Sequence, residues 1–226
     1  MRRSEGAAPA ILCLVTDRAA GTIGARALVE AVTAAVAGGV DWVQIRERGL
    51  AGRALFELAD EVAAAARRAA QARGAAVRIL INRRIDVALA LGLDGVHLGF
   101  DAVGPAQARG LLGPDRLVGV SAHSPDEVAA AAREGASYAH LAPIFDPLSK
   151  PRERPPLGLD PLTAARCAGI PVLAQGGIDA GNAAAALASG AAGIAVTGAV
   201  LGAADPERAA RALRAALDGA RAEALP

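Results

Sequence analysis

The sequence contains few aromatic residues. They make up 2% of the 226 residues, as one tryptophan, one tyrosine and three phenylalanines. Proteins that bind single-stranded nucleic acid stack its bases on aromatic side chains, and proteins that bind duplexes present a basic stripe. Here 24 basic residues are balanced by 23 acidic ones, and no long run carries one sign of charge. We therefore expect no nucleic-acid partner.

Cysteines and long apolar segments are also scarce. The two cysteines, Cys13 and Cys167, do not form the closely spaced pair of a metal site, so we expect reduced, buried thiols. No segment has 18 consecutive apolar residues without strand signals, so no membrane span is predicted. Residues 1–17 are basic and then apolar, but the apolar part is short and carries Asp17. We interpret it as a first strand rather than a signal peptide and expect a cytoplasmic protein.

The chain does contain a repeating pattern that predicts alternating strands and helices. A short apolar run ends in polar or glycine residues, and an alanine-rich amphipathic stretch follows it. The predicted strands are 11–17, 42–47, 78–83, 95–99, 117–123, 138–144, 171–177 and 193–198. The predicted helices are 24–38, 52–72, 84–92, 104–111, 125–134, 160–167, 181–189 and 205–220.

Eight such units in a chain of this length favour a (β/α)₈ TIM barrel. We expect one domain over residues 1–226, with a flexible start at 1–10 and a tail at 221–226. An open, doubly wound sheet is the alternative. Its usual glycine-rich fingerprint is missing after the first strand, which ends in Val-Thr-Asp-Arg.

Polar side chains collect at the predicted C-terminal strand ends, where TIM barrels carry their chemistry. These are Gln44, Arg46 and Arg48 at the end of the second strand, Asn82 at the end of the third, and Ser121 and His123 at the end of the fifth. Alternation puts the first three on one side of their strand. Gln44 is either a ligand-binding residue or a hydrogen-bonding residue of the barrel interior. An unpaired guanidinium in a core is costly, so Arg46 either binds an anion or pairs with Asp17 or Glu47.

Glycines follow the predicted strands seven and eight. Gly176 and Gly177 end one strand, and Thr197 and Gly198 end the other. Backbone amides in such turns approach phosphate closely in many barrels. We expect a phosphate site there, faced by several cations.

The three histidines differ in position. His97 and His140 lie within predicted strands, which favours a role in the core. His123 ends a strand just before a predicted helix cap, where an acid/base group is often found. A capping or loop role is the alternative for His123.

With these residues in view, the chain resembles the thiamine phosphate synthase and thiazole tautomerase family. The matching stretches are LVTD (14–17), VQIRERG (43–49), ILINRRIDVAL (79–89), DGVHLG (94–99), VGVSAHSPDE (118–127), LAPIFDPLSK (141–150), PVLAQGGI (171–178) and GIAVTGAV (193–200). They follow the family's order over roughly residues 11–215. The resemblance implies a dimeric TIM barrel of thiamine biosynthesis that acts on small phosphorylated thiazole or pyrimidine substrates.

In the synthase, a hydroxymethylpyrimidine diphosphate is joined to a thiazole phosphate and pyrophosphate is released. The resemblance implies three groups of binding residues. Gln44, Arg46, Arg48 and Asn82 would bind the pyrimidine diphosphate; Ser121 would contact its ring and Lys150 the diphosphate; Gly177, Thr197 and Gly198, with Ser149 nearby, would bind the thiazole phosphate. Arg48 and Lys150 are, in the alternative interpretation, solvated surface charges.

Three departures from the synthase pattern affect this interpretation. Arg83 stands where a Mg²⁺-binding aspartate is expected, and Ala102 where a second one is expected. Asp101 lies one residue early and would serve as a metal ligand only in a synthase. One hydroxyl of the loop motif is replaced in Pro147-Leu148-Ser149-Lys150.

These departures favour the tautomerase branch, which needs no metal. The leading hypothesis is a cofactor-free thiazole tautomerase-like enzyme in which His123 moves the proton of a thiazole carboxylate phosphate. The second is a thiamine phosphate synthase that uses Mg²⁺. The third is a non-catalytic protein that binds thiazole phosphate or thiamine phosphate.

Overall fold

Eight parallel strands close into a barrel in which each strand pairs with its neighbours in the chain and the last pairs with the first. The computed structural model describes residues 9–18, 23–146 and 155–223. The strands are β1 (Ile11–Val15), β2 (Trp42–Ile45), β3 (Arg78–Asn82), β4 (Gly95–Leu98), β5 (Leu117–Ala122), β6 (Tyr138–Leu141), β7 (Val172–Gln175) and β8 (Gly193–Val196). The predicted TIM barrel is confirmed.

Helices follow the strands around the outside of the barrel. They are α1 (Ala25–Ala37), α2 (Gly52–Ala72), α3 (Ile85–Ala90), α4 (Pro105–Leu112), α5 (Pro125–Arg133), α6 (Asp160–Ala165), α7 (Ala183–Ala188), α8 (Gly198–Leu201) and α9 (Pro206–Glu223). No helix among the described residues is long and apolar enough to cross a membrane.

Most predicted bounds differ from the observed ones by a few residues, and three predictions outside the site need correction. Residue 198 was predicted to end a strand, but Gly198 begins the short helix α8. Residues 221–223 were predicted as tail, but they continue α9. Cys167 was predicted to be buried and is exposed, because α6 ends at Ala165 and a short 3₁₀ turn leads to Gly169 in the left-handed region. Cys13 is buried as predicted, and burial raises the pKa of its thiol.

Alternation along the strands separates two apolar layers. Outward side chains such as Leu14, Ile45 and Ile81 pack in the cluster that contains the helices. Inward side chains such as Cys13, Leu80 and Tyr138 form a second cluster inside the barrel. Because both faces of each strand are covered, the strands are apolar with few interruptions, as parallel strands usually are.

Tyr138 fills the barrel interior and restricts residue 119 on the neighbouring strand to glycine. It is fully buried, and its ring meets the edge of Trp42 at a centroid distance of 5.0 Å. A Cβ atom on Gly119 of the neighbouring strand would overlap the Tyr138 ring. Glycine is therefore required at residue 119 if the tyrosine is to occupy this position.

The predicted cap after β5 is present. The Ser124 hydroxyl accepts a hydrogen bond from the amide of Glu127 at 3.2 Å, and Pro125 occupies the first helical position of α5. This cap starts the helix immediately after His123. It therefore fixes the backbone from which that histidine extends.

Candidate active site

A cavity of about 450 Å³ opens at the C-terminal ends of the strands. Eight of the side chains that we singled out from the sequence line it: Gln44, Arg46, Arg48, Asn82, Asp101, Ser121, His123 and Thr197. Arg83, Phe100 and Gln175 line it as well. Since these residues come from six different strands or the segments that follow them, only closure of the barrel brings them together.

The predicted phosphate-binding glycines lie next to the cavity in sequence without lining it. Gln175 and Thr197 reach it, but Gly176, Gly177 and Gly198 are not among its lining residues. Gly176 and Gly177 have positive φ angles of 91° and 64°. A Cβ on Gly177 would overlap the backbone of Asp146, so packing and the backbone conformation both require glycine here, whether or not a phosphate binds. Ser149 and Lys150 lie outside the described residues.

Two chemically different groups of side chains line the cavity. We call Arg46, Arg48 and Arg83 the cationic wall. We call Ser121, His123, Gln175 and Thr197 the hydrogen-bonding wall.

Arg46 in the cationic wall is held by an ion pair. Its Nη1 lies 2.7 Å from Oδ2 of Asp17, and both side chains are less than one-fifth exposed. Its backbone amide donates to the Thr16 hydroxyl at 3.0 Å, and that hydroxyl donates to Glu47 at 2.7 Å. Of the two partners considered for Arg46, Asp17 is the one found. Arg46 lines the cavity, and within the described part of the chain its other guanidinium N–H groups have no partner, so they can bind an anion.

Gln44 and Asn82 form a linked pair of amides. Gln44 Nε2 donates to Asn82 Oδ1 at 3.1 Å. Gln44 is buried, and its Oε1 has no hydrogen-bond partner among the described residues. An unpaired buried acceptor is unfavourable, so a ligand that donates to Oε1 would be stabilised here.

Arg83 was not a predicted ligand, yet it faces the cavity. It adopts a left-handed conformation with φ of 65°, which is uncommon for a residue with a long side chain. Its guanidinium forms an ion pair with Asp101. Periodicity along β3 could not find this orientation, because Arg83 follows the last residue of the strand.

His97 links two side chains inside the barrel, Tyr138 and Ser121. Its Nδ1 lies 3.1 Å from the Tyr138 hydroxyl and its Nε2 lies 2.9 Å from Ser121 Oγ. Burial, with His140 and Arg46 nearby, lowers the pKa of His97, so its ring is neutral. Burial also raises the pKa of Tyr138, so the phenol keeps its proton.

The direction of this chain follows from the tyrosine. His97 is the hydrogen-bond partner of the Tyr138 hydroxyl within the described part of the chain. If His97 donated from Nδ1, the buried phenol proton would lack an acceptor, which is costly. The satisfied arrangement has Tyr138 donating to Nδ1 and Nε2–H donating to Ser121. The Ser121 proton is then free to donate into the cavity.

His140 lies below this chain as a buried, neutral ring. Its centroid is 4.4 Å from that of His97, and neither of its nitrogens has a well-formed hydrogen bond within the described residues. Burial lowers its pKa to about 3, although the nearby Gln175 amide partly opposes this shift. The expected core role of His97 and His140 is confirmed by their burial.

His123 presents Nδ1 to a carbonyl, and its Nε2 has no hydrogen-bond partner among the described residues. Its Nδ1 lies 2.6 Å from the Ala142 carbonyl oxygen, which can only accept, so Nδ1 carries a proton. The ring stacks on Phe100 at a centroid distance of 4.7 Å. The Nε2 atom is thus the one that a proton-transfer role would use.

The described side chains do not fit a Mg²⁺ site. No cluster of three or more aspartate, glutamate, histidine or cysteine side chains in the described ranges is arranged to hold a metal. Asp101 is paired with Arg83, and Asn82 Oδ1 already accepts from Gln44. Mg²⁺ needs several oxygen ligands, and a guanidinium beside the one carboxylate opposes its binding.

Comparison with known proteins places the chain in a family. Residues 12–200 match the model of thiamine monophosphate synthase. The chain is 42% identical over 204 residues to a thiamine-phosphate synthase of Roseiflexus castenholzii, covering 90% of this chain and 86% of that one. It is 46% identical over 207 residues to a putative thiamine-phosphate synthase of Geobacter sulfurreducens, covering 91% and 93%.

A solved structure agrees with these sequence matches. The thiamine phosphate pyrophosphorylase of Pyrococcus furiosus superposes with a TM-score of 0.78 at 30% identity, covering 93% of this chain and 96% of that one. Our leaning toward the tautomerase branch is not supported, since these relatives are named as synthases or as a pyrophosphorylase. The chain is a TIM-barrel enzyme of thiamine biosynthesis and belongs to the thiamine monophosphate synthase family.

Proposed function

We propose that this enzyme is a thiamine phosphate synthase, which joins hydroxymethylpyrimidine diphosphate to thiazole phosphate. The observation that carries the proposal is that one cavity is lined both by three arginines and by uncharged hydrogen-bonding groups. A diphosphate attached to a polar ring needs both kinds of group. The names of the relatives support the same reaction over the tautomerisation that we first favoured.

The cationic wall would bind the diphosphate and assist its departure. When the bond between the pyrimidine methylene and the diphosphate oxygen breaks, its electron pair leaves with the oxygen. Arg46 and Arg48 can donate to the phosphate oxygens as that negative charge grows. The thiazole nitrogen then forms the new bond to the methylene carbon, which balances the reaction.

The uncharged groups would hold the pyrimidine ring. Gln44 Oε1 offers an unpaired acceptor, which suits an amino group on the ring. The Ser121 proton, freed by the Tyr138–His97 chain, suits a ring nitrogen or another acceptor. These groups would set the direction in which the methylene carbon faces the thiazole.

The thiazole phosphate would bind beside Thr197, near Gly177 and Gly198. This assignment, together with Ser149 and Lys150, rests on the resemblance and stays a prediction. The homodimer and the cytoplasmic location also stay predictions.

The decisive experiment supplies the full chain with both precursors and Mg²⁺. We expect thiamine phosphate and pyrophosphate to appear in equal amounts when the products are separated by chromatography. Absence of thiamine phosphate, at enzyme concentrations where a known synthase gives complete conversion, would contradict the proposal.

A thiazole tautomerase is the second candidate, and one observation favours it. His123 is fixed through Nδ1 and keeps Nε2 available, as a metal-free proton transfer requires. The chain would then aromatise a thiazole carboxylate phosphate without pyrimidine, and His123→Ala would mainly lower kcat. Binding of thiazole phosphate without turnover in either assay would instead support the third hypothesis, a non-catalytic binding protein.

A further inference from the structure

We propose that Arg83 takes the place of a metal ion at the diphosphate subsite, so that this enzyme binds pyrophosphate without Mg²⁺. This inference deepens the proposed function and rests on it for the identity of the anion. The new claim is that arginine side chains, and not Mg²⁺, supply the positive charge. Binding of pyrophosphate tests this claim without any catalytic assay.

The charge inside the cavity supports the proposal. Three guanidiniums line it, and Asp101 is the one carboxylate among its described lining residues. Mg²⁺ is usually held by one or two carboxylates together with substrate phosphates and water, and the carboxylate of Asp101 is already paired with Arg83. A pyrophosphate ion, in contrast, is matched by several guanidiniums, which bind phosphate oxygens through paired N–H groups.

The backbone at Arg83 indicates a role for its side chain. A φ of 65° is unfavourable for arginine and is adopted more readily by asparagine or aspartate. Arginine therefore does not stabilise the backbone conformation of residue 83. What arginine adds is a guanidinium that lines the cavity beside Gly99.

Asp101 pairs with Arg83 and would compete with an anion for its guanidinium. The ion pair between them is open to solvent, with the Arg83 side chain 38% and the Asp101 side chain 73% exposed. Exposed ion pairs are weak because water competes for both charges, so an arriving polyanion can displace the carboxylate. Arg83 would then turn from Asp101 to the phosphate oxygens, and Asp101 would return to water.

The test is isothermal titration of the full chain with inorganic pyrophosphate, first with EDTA and then with Mg²⁺. We expect the unaltered protein to bind pyrophosphate in EDTA. Arg83→Ala should weaken that binding about 10- to 100-fold, as expected for loss of charge-assisted hydrogen bonds. Asp101→Asn should strengthen it about two- to fivefold, because the competing carboxylate is gone.

Arg84→Ala is the matched control. Arg84 is the next residue, but it pairs with Asp86 at 2.5 Å and does not line the cavity. Its loss should leave pyrophosphate affinity unchanged. Circular dichroism of the three variants checks that each is folded.

Three results would overturn the inference. They are pyrophosphate binding only when Mg²⁺ is present, an Arg83→Ala loss no larger than that of Arg84→Ala, and weaker binding by Asp101→Asn. A different result would contradict the proposed function and leave this inference intact. In that case pyrophosphate would bind in EDTA through Arg83, but the two precursors would yield no thiamine phosphate with or without Mg²⁺.

Discussion

The cationic wall and the hydrogen-bonding wall face the same cavity but are held in place by different means. Arg46 and Arg83 are each fixed by a carboxylate, Asp17 in one case and Asp101 in the other. Ser121 is fixed from below by the neutral ring of His97. The cationic wall therefore depends on ion pairs, one mostly buried and one exposed, whereas Ser121 in the other wall depends on a buried chain of uncharged groups.

This difference separates two tasks that one substrate imposes. A diphosphate is recognised by charge, and the charge must remain adjustable as the leaving group departs. A heterocyclic ring is recognised by the direction of its donors and acceptors, which demands fixed partners. Changes to the two walls should accordingly differ in their dependence on salt and on pH.

Removal of Arg46 should have the largest effect. Arg46→Ala deletes an anion ligand and leaves Asp17, which is only 14% exposed, without this partner. We expect kcat/KM for the coupling reaction to fall by about 1000-fold, the upper range for loss of a preorganised electrostatic contact. Arg46→Lys should recover only part of this, because an ammonium cannot serve the carboxylate and the phosphate with one planar group.

Arg18→Ala is the control for that loss. Arg18 lies on the same rim and pairs with Glu47 at 3.1 Å, but it does not line the cavity. It should retain kcat/KM within a few-fold of the unaltered enzyme. Equal losses in Arg18→Ala and Arg46→Ala would mean that the cationic wall has no special role.

Acid should weaken the buried support of the hydrogen-bonding wall. The unfolded chain protonates His140 below about pH 6.5, whereas in the folded barrel burial lowers its pKa to about 3. The full contribution is present above pH 6.5, and the free energy of unfolding falls as the pH drops toward 3. His140→Leu should reduce this pH slope by up to about 1.4 kcal/mol per pH unit.

Urea unfolding at several pH values between 4 and 7 measures the slope. Cys13→Ala serves as the control, because its thiol is buried in the same interior and burial raises its pKa away from this range. It should keep the slope of the unaltered protein. An unchanged slope in His140→Leu would show that this histidine is charged in both states or in neither.

The sequence predicted those features that depend on periodicity and local chemistry. Alternation placed Gln44 and Arg46 toward the cavity, and the Ser-Pro-Asp-Glu pattern predicted the cap that follows His123. Apolar runs bounded by helical stretches predicted the eight strands of the barrel. Each of these signals lies within a few consecutive residues.

Contacts between distant segments could not be predicted in this way. Periodicity indicates that His97 and Tyr138 face inward, but not that they touch across 41 residues of sequence. The pairing of Arg83 with Asp101 depends on a left-handed backbone at the end of one strand and a turn after the next. Cys167 became exposed because its helix ended two residues earlier than periodicity indicated.

The smallest of these effects should come from the most remote member of the buried chain. Tyr138→Phe removes the hydroxyl that donates to His97 Nδ1, while the ring still fills the space beside Gly119. His97 can then carry its proton on Nδ1, so Ser121 must donate to Nε2 instead of to the substrate. We expect kcat to fall about tenfold, the value of one hydrogen bond, with little change in KM.

The position of the proton gives a readout that does not depend on turnover. Nitrogen NMR of the histidine rings should show His97 protonated at Nε2 in the unaltered protein and a shift toward Nδ1 in Tyr138→Phe. Thr33→Ala on the outer helix α1, whose hydroxyl binds the Val29 carbonyl, should change neither the tautomer nor kcat. If His97 carries its proton on Nδ1 in the unaltered protein, Tyr138 does not direct Ser121, and the two walls are less different than the geometry indicates.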